Sequence, residues 1–283
     1  MTNQQRTIAE VRDVILRKNS DIHTAGPVVA PGNWAKSDPF LLLMEDKFQA
    51  GAFDKHPHRG IETVTYVIDG QIEHYDSHSG DSGVLGPGDV QWMTAGSGVI
   101  HNEVPSEGVT AHSLQLWVNL PRAKKMITPR YQNLKGEDMP TQELEGATIR
   151  VFSGTSNGVT SPTLNHVPVT MVEMLIDPGA TVSQALPGSY NGFMYILEGN
   201  GVFGVNEVRA SKGQMLWIGN GEAEEGEIQI TAAEPLRLVL YAGAPLHEPV
   251  VANGPFVMNT EEEIKQAFLD YRDGRFLKDP QAE

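Results

Sequence analysis

Apolar and polar positions alternate in short runs along most of the chain, and turn residues cut those runs at close intervals. Alternation is the signature of a strand, because successive strand side chains point to opposite faces of a sheet. Residues 7–16 predict an opening strand or two, the Gly-, Pro- and Asn-containing stretch from Ala25 to Trp34 a loop, and Phe40 to Met44 a short buried strand. Thr63 to Ile68 is a β-branched and aromatic run that Asp69-Gly70 closes as a hairpin turn, with Gln71 to Tyr75 as the return strand. Val90 to Met93 follows the turn Gly86-Pro87-Gly88-Asp89, and Ser113 to Val118 alternates again. Short, turn-bounded strands of this kind predict a barrel or sandwich. Only the end of the chain changes period. Thr260-Glu261-Glu262-Glu263 is a capping box, Ile264, Ala267, Phe268 and Tyr271 fall on one helical stripe, and Gly274 suits the C-terminal cap.

The strand pattern occurs twice. Gly192 to Gly199 repeats the Tyr-apolar-apolar-acid-Gly ending of Glu62 to Gly70 at an offset of 129 residues, and Gly213 to Trp217 echoes Gly88 to Trp92 at an offset of 125. Two copies of one unit predict a first domain over 1–130, a linker over 131–146 and a second domain over 147–283 that includes the helix. The basic cluster Arg122, Lys124, Lys125 and Arg130 reads as a solvated part of the connecting segment.

Composition narrows the classes. The 283 residues are 40% apolar and 20% charged, with 29 glycines and 18 prolines dispersed among the strands, as expected of a globular chain of about two domains. The absence of cysteine removes disulfides and thiolate ligands and fits a cytoplasmic protein. A formal charge of −15 argues against direct nucleic-acid binding. No signal-like N-terminal pattern or membrane-length apolar run is present, so no membrane association is expected.

Candidate chemistry gathers in two short stretches, His56-Pro57-His58-Arg59-Gly60-Ile61-Glu62 and His101-Asn102-Glu103. On a strand, residues two apart face the same way, so His56 and His58 present two imidazoles to one side and His101 and Glu103 an imidazole and a carboxylate. If the strands face each other inside a barrel, the four converge, a donor set suited to a divalent transition metal. Parity alone also permits Glu62, in phase with His56 and His58, as the carboxylate. Applying the offsets to the second copy puts Ala185, Pro187, Gly226 and Ile228 at the four positions, which predicts a metal-free second domain. The other histidines (His23, His74, His78, His112, His166 and His247) are isolated and read as surface or hydrogen-bonded core residues, and Trp92 and Trp117 as core packing.

The segments His56 to Tyr66, Pro87 to Gly96, His101 to Glu103 and Leu114 to Pro121 resemble those of the pirins, members of the cupin superfamily, and the duplicated layout extends the likeness over nearly the whole chain. The resemblance implies an all-β protein of two tandem cupin barrels (double-stranded β-helix, or jelly roll) with a short C-terminal α-helix. It also implies one divalent metal in the first barrel, Fe(II) foremost, with Mn, Ni, Co, Cu or Zn as the other candidates. His56, His58, His101 and Glu103 are the implied ligands, with Glu62 left to support the site or line its pocket. Some pirins are quercetin 2,3-dioxygenases, which implies a phenolic substrate and O2 as partners. On that reading the metal lowers the pKa of a substrate oxygen and Glu103 accepts the proton. Other pirins regulate transcription factors or metabolic enzymes, which gives the alternative of a non-catalytic metal or redox sensor with a protein partner. Zinc-dependent hydrolysis is a third reading of a His-rich site. Two residues depart from the family pattern beside the ligands: Ile61, where Phe is frequent, and Asn102, where Ser is common.

Overall fold

A computed structural model describes residues 4–78, 80–219, 221 and 223–277, with nothing said of the side chains of Asp81 and Ser82. The architecture is all-β, and the described residues include two α-helices, Trp34–Ser37 and Glu261–Arg272. The chain forms two compact units, each built from a seven-stranded sheet and a smaller one.

In the first unit the large sheet runs in the order Arg130–Leu134, Val90–Thr94, Ile61–Asp69, Ala111–Asn119, Phe40–Phe48, His23–Val29 and Arg17–Ser20. The smaller sheet runs His56–His58, Val99–Pro105, Ile72–Asp76 and Gly80–Leu85. The expected loop after Ala25 is therefore partly a strand. Pro27 is tolerated there because the register shifts between Pro27 and Val29, a bulge that spares a ladder donor.

The second unit repeats the plan. Its large sheet runs Thr141–Leu144, Ala147–Ser153, Val169–Ile176, Leu236–Gly243, Asn191–Glu198, Gln214–Ile218 and Ile8–Asp13. Its smaller sheet carries Thr181–Pro187, Glu225–Ala232, Asn200–Phe203 and Val208–Ser211, with Gln4–Gln5 added in parallel. A continuous apolar core fills this barrel.

The unit boundaries differ from the sequence expectation. Residues 4–15, 36–38 and 138–245 make the second unit, whereas 16–35, 39–137 and 246–277 make the first. Strand Ile8–Asp13 takes the place beside Gln214–Ile218 that Arg130–Leu134 takes beside Val90–Thr94. An unpaired edge recruits whichever strand completes its ladder, and the sequence order does not dictate which. At the other end, the hairpin Val251–Asn253 and Phe256–Met258 and the helix Glu261–Arg272 belong to the first unit. The capping box forms as expected, Glu263 N–H donating to Thr260 Oγ1 at 3.2 Å and Thr260 N–H to Glu263 Oε2 at 3.0 Å. Ile264 and Ala267 pack with Phe256, Met258 and Phe276. The basic cluster is not uniformly solvated either. Lys125 is buried, and its Nζ donates to Gly60 O, Asn119 Oδ1 and Val257 O at 2.7–3.0 Å, which offsets the cost of burying a cation.

Candidate metal centre

Three imidazoles meet inside the first barrel. Strand His56–His58 pairs antiparallel with Val99–Pro105 so that His101 lies opposite His56, and the two-residue period brings His58 to the same side. One ligand-type atom from each of His56, His58 and His101 lies within 4.8 Å of the others. Ring centroids are 4.4 to 4.9 Å apart and the planes steeply inclined, so the rings converge edge-on instead of stacking.

Each ring is anchored through Nδ1, the nitrogen turned away from the point of convergence. His56 Nδ1 lies 2.8 Å from Asp54 O, His58 Nδ1 3.3 Å from Pro255 O and His101 Nδ1 2.8 Å from His74 Nε2. With Nδ1–H donating, each Nε2 carries a lone pair. The Nε2 atoms of His58 and His101 are buried and have no hydrogen-bond partner. An orphaned pair of buried acceptors aimed at one point is costly unless a cation completes it, so the residues present fit a metal ion. The electrostatics agree. Burial, and then the charge of His56, lowers the His58 pKa to about 3. Burial, then His58, His56 and His74, holds His101 well below the ordinary range. Both rings are neutral at pH 7, the form in which an imidazole nitrogen can bind a metal ion.

The turn that delivers His58 is fixed by Gly60, whose φ is +81° and where a Cβ would sit 2.0 Å from Val257 O. Only glycine fits there. Next to it, Arg59 is buried, donating from Nε to Ser97 O at 2.6 Å and from one terminal nitrogen to Asp270 of the C-terminal helix at 2.8 Å.

The two candidate carboxylates part company. Glu103 is buried in the barrel interior, with Oε1 accepting from Thr65 Oγ1 at 2.7 Å and Oε2 from Gln115 Nε2 at 2.5 Å. It lies cross-strand from His74, and it lines the same cavity as His56. Glu103 is not in the group of three whose ligand atoms lie within 4.8 Å of one another. Glu62 sits on strand Ile61–Asp69 three residues from Thr65 and hence on its opposite face. There Thr94 Oγ1 donates to it at 2.7 Å, and burial raises its pKa against the lowering influence of Thr94, Trp92, Arg130 and Lys124. The phase that seemed to join Glu62 to His56 and His58 breaks at Gly60, where the chain passes from one sheet to the other.

His74 is the residue that sequence reasoning missed. It is buried beside the His101 ring, and burial lowers its pKa while Glu103 and Asp76 raise it. Its alternation with Ile72 and Asp76 marks it as inward-facing, but its partner is set by register across strands. His23 and His112 pair instead with Asp46 at 2.8 Å and Glu45 at 2.7 Å. Trp92 is core, whereas Trp117 packs edge-on against His58 with centroids 5.0 Å apart.

A cavity of about 40 Å³ opens beside the triad, lined by Asp46, Phe48, Phe53, His56, Glu103, Ser113 and Gln115. That holds a hydroxyl group or a dioxygen-sized molecule and is far below the ~300 Å³ typical of sites for drug-sized ligands.

Residues 23–118 match the Pirin family and residues 171–277 the Pirin C-terminal cupin domain. Human (Homo sapiens) pirin is 41% identical over 243 residues, which cover 84% of this chain and 82% of that protein. A crystal structure of a Geobacillus kaustophilus protein is 62% identical with a TM-score of 0.87, covering 88% of this chain and all of that one. A crystal structure of a quercetin 2,3-dioxygenase from Acinetobacter baumannii is 29% identical with a TM-score of 0.83, covering 96% of this chain and 99% of that one. With a triad suited to a metal ion in a barrel of this fold and relatives at this level of identity, the chain belongs to the pirin family.

Proposed function

We propose that the first barrel holds one divalent transition metal on His56, His58, His101 and Glu103 and acts as a dioxygenase on a small phenolic compound such as a flavonol. The observation that carries this reading is the convergence of three imidazoles whose Nδ1 atoms are tied outward, two of them with buried, unpartnered Nε2 atoms. The likeness to a quercetin 2,3-dioxygenase supports the reaction class. The neutral imidazoles favour a borderline ion and Glu103 adds a hard oxygen, a mixed set consistent with Fe(II). When bound, the metal supplies Lewis acidity toward a substrate oxygen and the redox chemistry of dioxygen.

The chain's own residues do the rest. Thr65 and Gln115 hold the Glu103 carboxylate in one orientation, and His74 fixes the tautomer of His101. Phe48 and Phe53, edge-to-face at 4.9 Å, form the apolar part of the cavity wall. At the observed cavity size a substrate hydroxyl or a dioxygen-sized molecule fits, and the aromatic body of a flavonol does not. The test is oxygen and quercetin consumption by protein loaded separately with Fe, Mn, Ni, Co and Cu. Turnover with at least one metal, abolished in His101→Ala, is expected; no turnover with any of them contradicts the reading.

One observation favours a second reading, a metal-dependent regulator. Arg59, adjacent to His58, is ion-paired to Asp270 on a helix that leaves Phe268, Leu269 and Tyr271 exposed. This links the site to an apolar surface. Retention of a cellular protein by metal-loaded but not metal-stripped chain would support it, and equal retention by both would count against it.

A further inference from the structure

The cavity wall facing His56 and Glu103 carries an acid that the proposed ligand set does not use. Asp46 sits on strand Phe40–Phe48, cross-strand from Ser113, and lines the cavity together with His56 and Glu103. It is 9% exposed, and its Oδ1 is 2.8 Å from His23 Nε2. The His23 ring is itself packed edge-on against Phe53, with centroids 4.9 Å apart, so it is held behind the cavity wall that Asp46 and Phe53 form.

The acid–base groups lining this cavity are three: His56, Glu103 and Asp46. On the proposed function, which this inference rests on, His56 and Glu103 are ligands. Glu103 is further committed, one oxygen accepting from Thr65 and the other from Gln115. A proton leaving a substrate hydroxyl therefore meets one carboxylate in this cavity that lies outside the proposed ligand set, Asp46, one oxygen of which is held by His23. The second barrel gives an independent comparison. There, register places Met174 opposite Leu238 where the first barrel has Asp46 opposite Ser113, and both residues are apolar core. A carboxylate at this place is not needed to build the barrel.

We propose that Asp46, held by His23, is the catalytic base that takes the proton of the substrate hydroxyl, the role that the reading from family resemblance gives to Glu103. The step balances simply. The O–H bond of the substrate breaks, its electron pair stays on the substrate oxygen, and a new O–H bond forms on the Asp46 carboxylate. No atom changes oxidation state, and the proton is returned when product leaves.

Isothermal titration of the zinc-loaded full chain with quercetin under argon, in buffers of different ionisation enthalpy, counts the protons released. Absorbance of the same mixture reads the bound flavonolate. The wild type should bind flavonolate and release almost no proton, while Asp46→Asn should release about one per flavonol, since the internal acceptor is gone. With the catalytically competent metal, Asp46→Asn should lower kcat by about 10²–10⁴-fold, with metal content unchanged. In Asp46→Ala, added formate should restore part of kcat by supplying a carboxylate, and this covers the case in which Asp46→Asn fails to fold. Identical proton release and kcat in Asp46→Asn, or a folded, metal-loaded Asp46→Ala that formate does not rescue, overturns the assignment and leaves the dioxygenase reading standing. A wild type that binds no flavonol overturns both.

Discussion

The two barrels share a strand plan and differ in what points inward. In the first barrel, His74, four residues after the hairpin Gly70, lies opposite Glu103; in the second, Phe203, four residues after Gly199, lies opposite Ile230. Following the ladders outward, His101 corresponds to Ile228, His56 to Gln184 and His58 to Leu186. The next layer behaves the same way. Thr65, flanked by Gln115 and Gln91, with Asn133 beyond, becomes Met194, flanked by Leu240 and Leu216, with Val11 beyond. Apart from Gln184, which accepts from Ser156, every one of these inward positions in the second barrel is apolar and part of its core or packed against it. The second barrel shows what the fold requires when it has only to be stable. The first shows what the proposed chemistry would add: three converging imidazoles, the groups that orient them, and a polar layer behind. Buried polar groups that are mutually hydrogen-bonded cost little, whereas the two unpartnered Nε2 atoms do not balance without a cation.

The sharpest way to break this contrast is to exchange effects between barrels. His101→Ala should remove essentially all bound metal from purified protein, read by elemental analysis. Ile228→Ala, its counterpart, should leave metal content intact and cost about 2–5 kcal/mol of stability, read by denaturant unfolding. Retained metal in the first variant or lost metal in the second would reverse the roles. His74→Phe and Gln115→Leu each write a second-barrel type of residue into the first barrel, and each should weaken metal affinity about 10–100-fold by competition with a chelator while the chain stays folded.

Acid separates the barrels through the same residues. The His58 pKa is depressed from 6.5 to about 3 in the folded chain. Between those values the unfolded chain binds a proton that the folded chain does not, so stability rises with pH across this window. Metal-free protein should therefore lose stability as pH falls from about 6.5 toward 3. Thermal unfolding of the metal-free chain and of metal-free His58→Gln at pH 7.5 and 5 checks this; the same pH response in both would show that His58 does not hold it. The smallest effect is expected for Glu62→Gln. Glu62 faces away from Thr65 and Glu103, so metal content should match the wild type, while Glu103→Gln should lower it. Loss of metal only in the Glu62 variant would exchange the two assignments.

Much of this was legible from local pattern, because strand parity is local. The pairs His56/His58 and His101/Glu103, the turn at Asp69-Gly70 and the capping box at Thr260 each depend on a few neighbouring residues. What escaped depends on pairing between distant strands. His74 reads as an isolated histidine until register sets it against Glu103 and His101. Fixed offsets put Ala185, Pro187 and Gly226 at ligand positions that the ladders give to Gln184, Leu186 and Ile228, because loop lengths drift between copies. Lys125 reads as one more solvated cation until three oxygens from separate segments enclose it. The acidic run from Glu222 to Glu227 reads as a solvated turn; Glu222 lies outside the described residues, and Glu225 already begins the strand Glu225–Ala232.

Crystals of the purified chain, measured at the absorption edge of whichever metal elemental analysis detects, test the central claim most directly. The account predicts one anomalous peak about 2.0–2.2 Å from Nε2 of His56, His58 and His101 and none inside the second barrel. No peak at the triad, or a peak enclosed by Leu186, Phe203, Ile228 and Ile230, would contradict it.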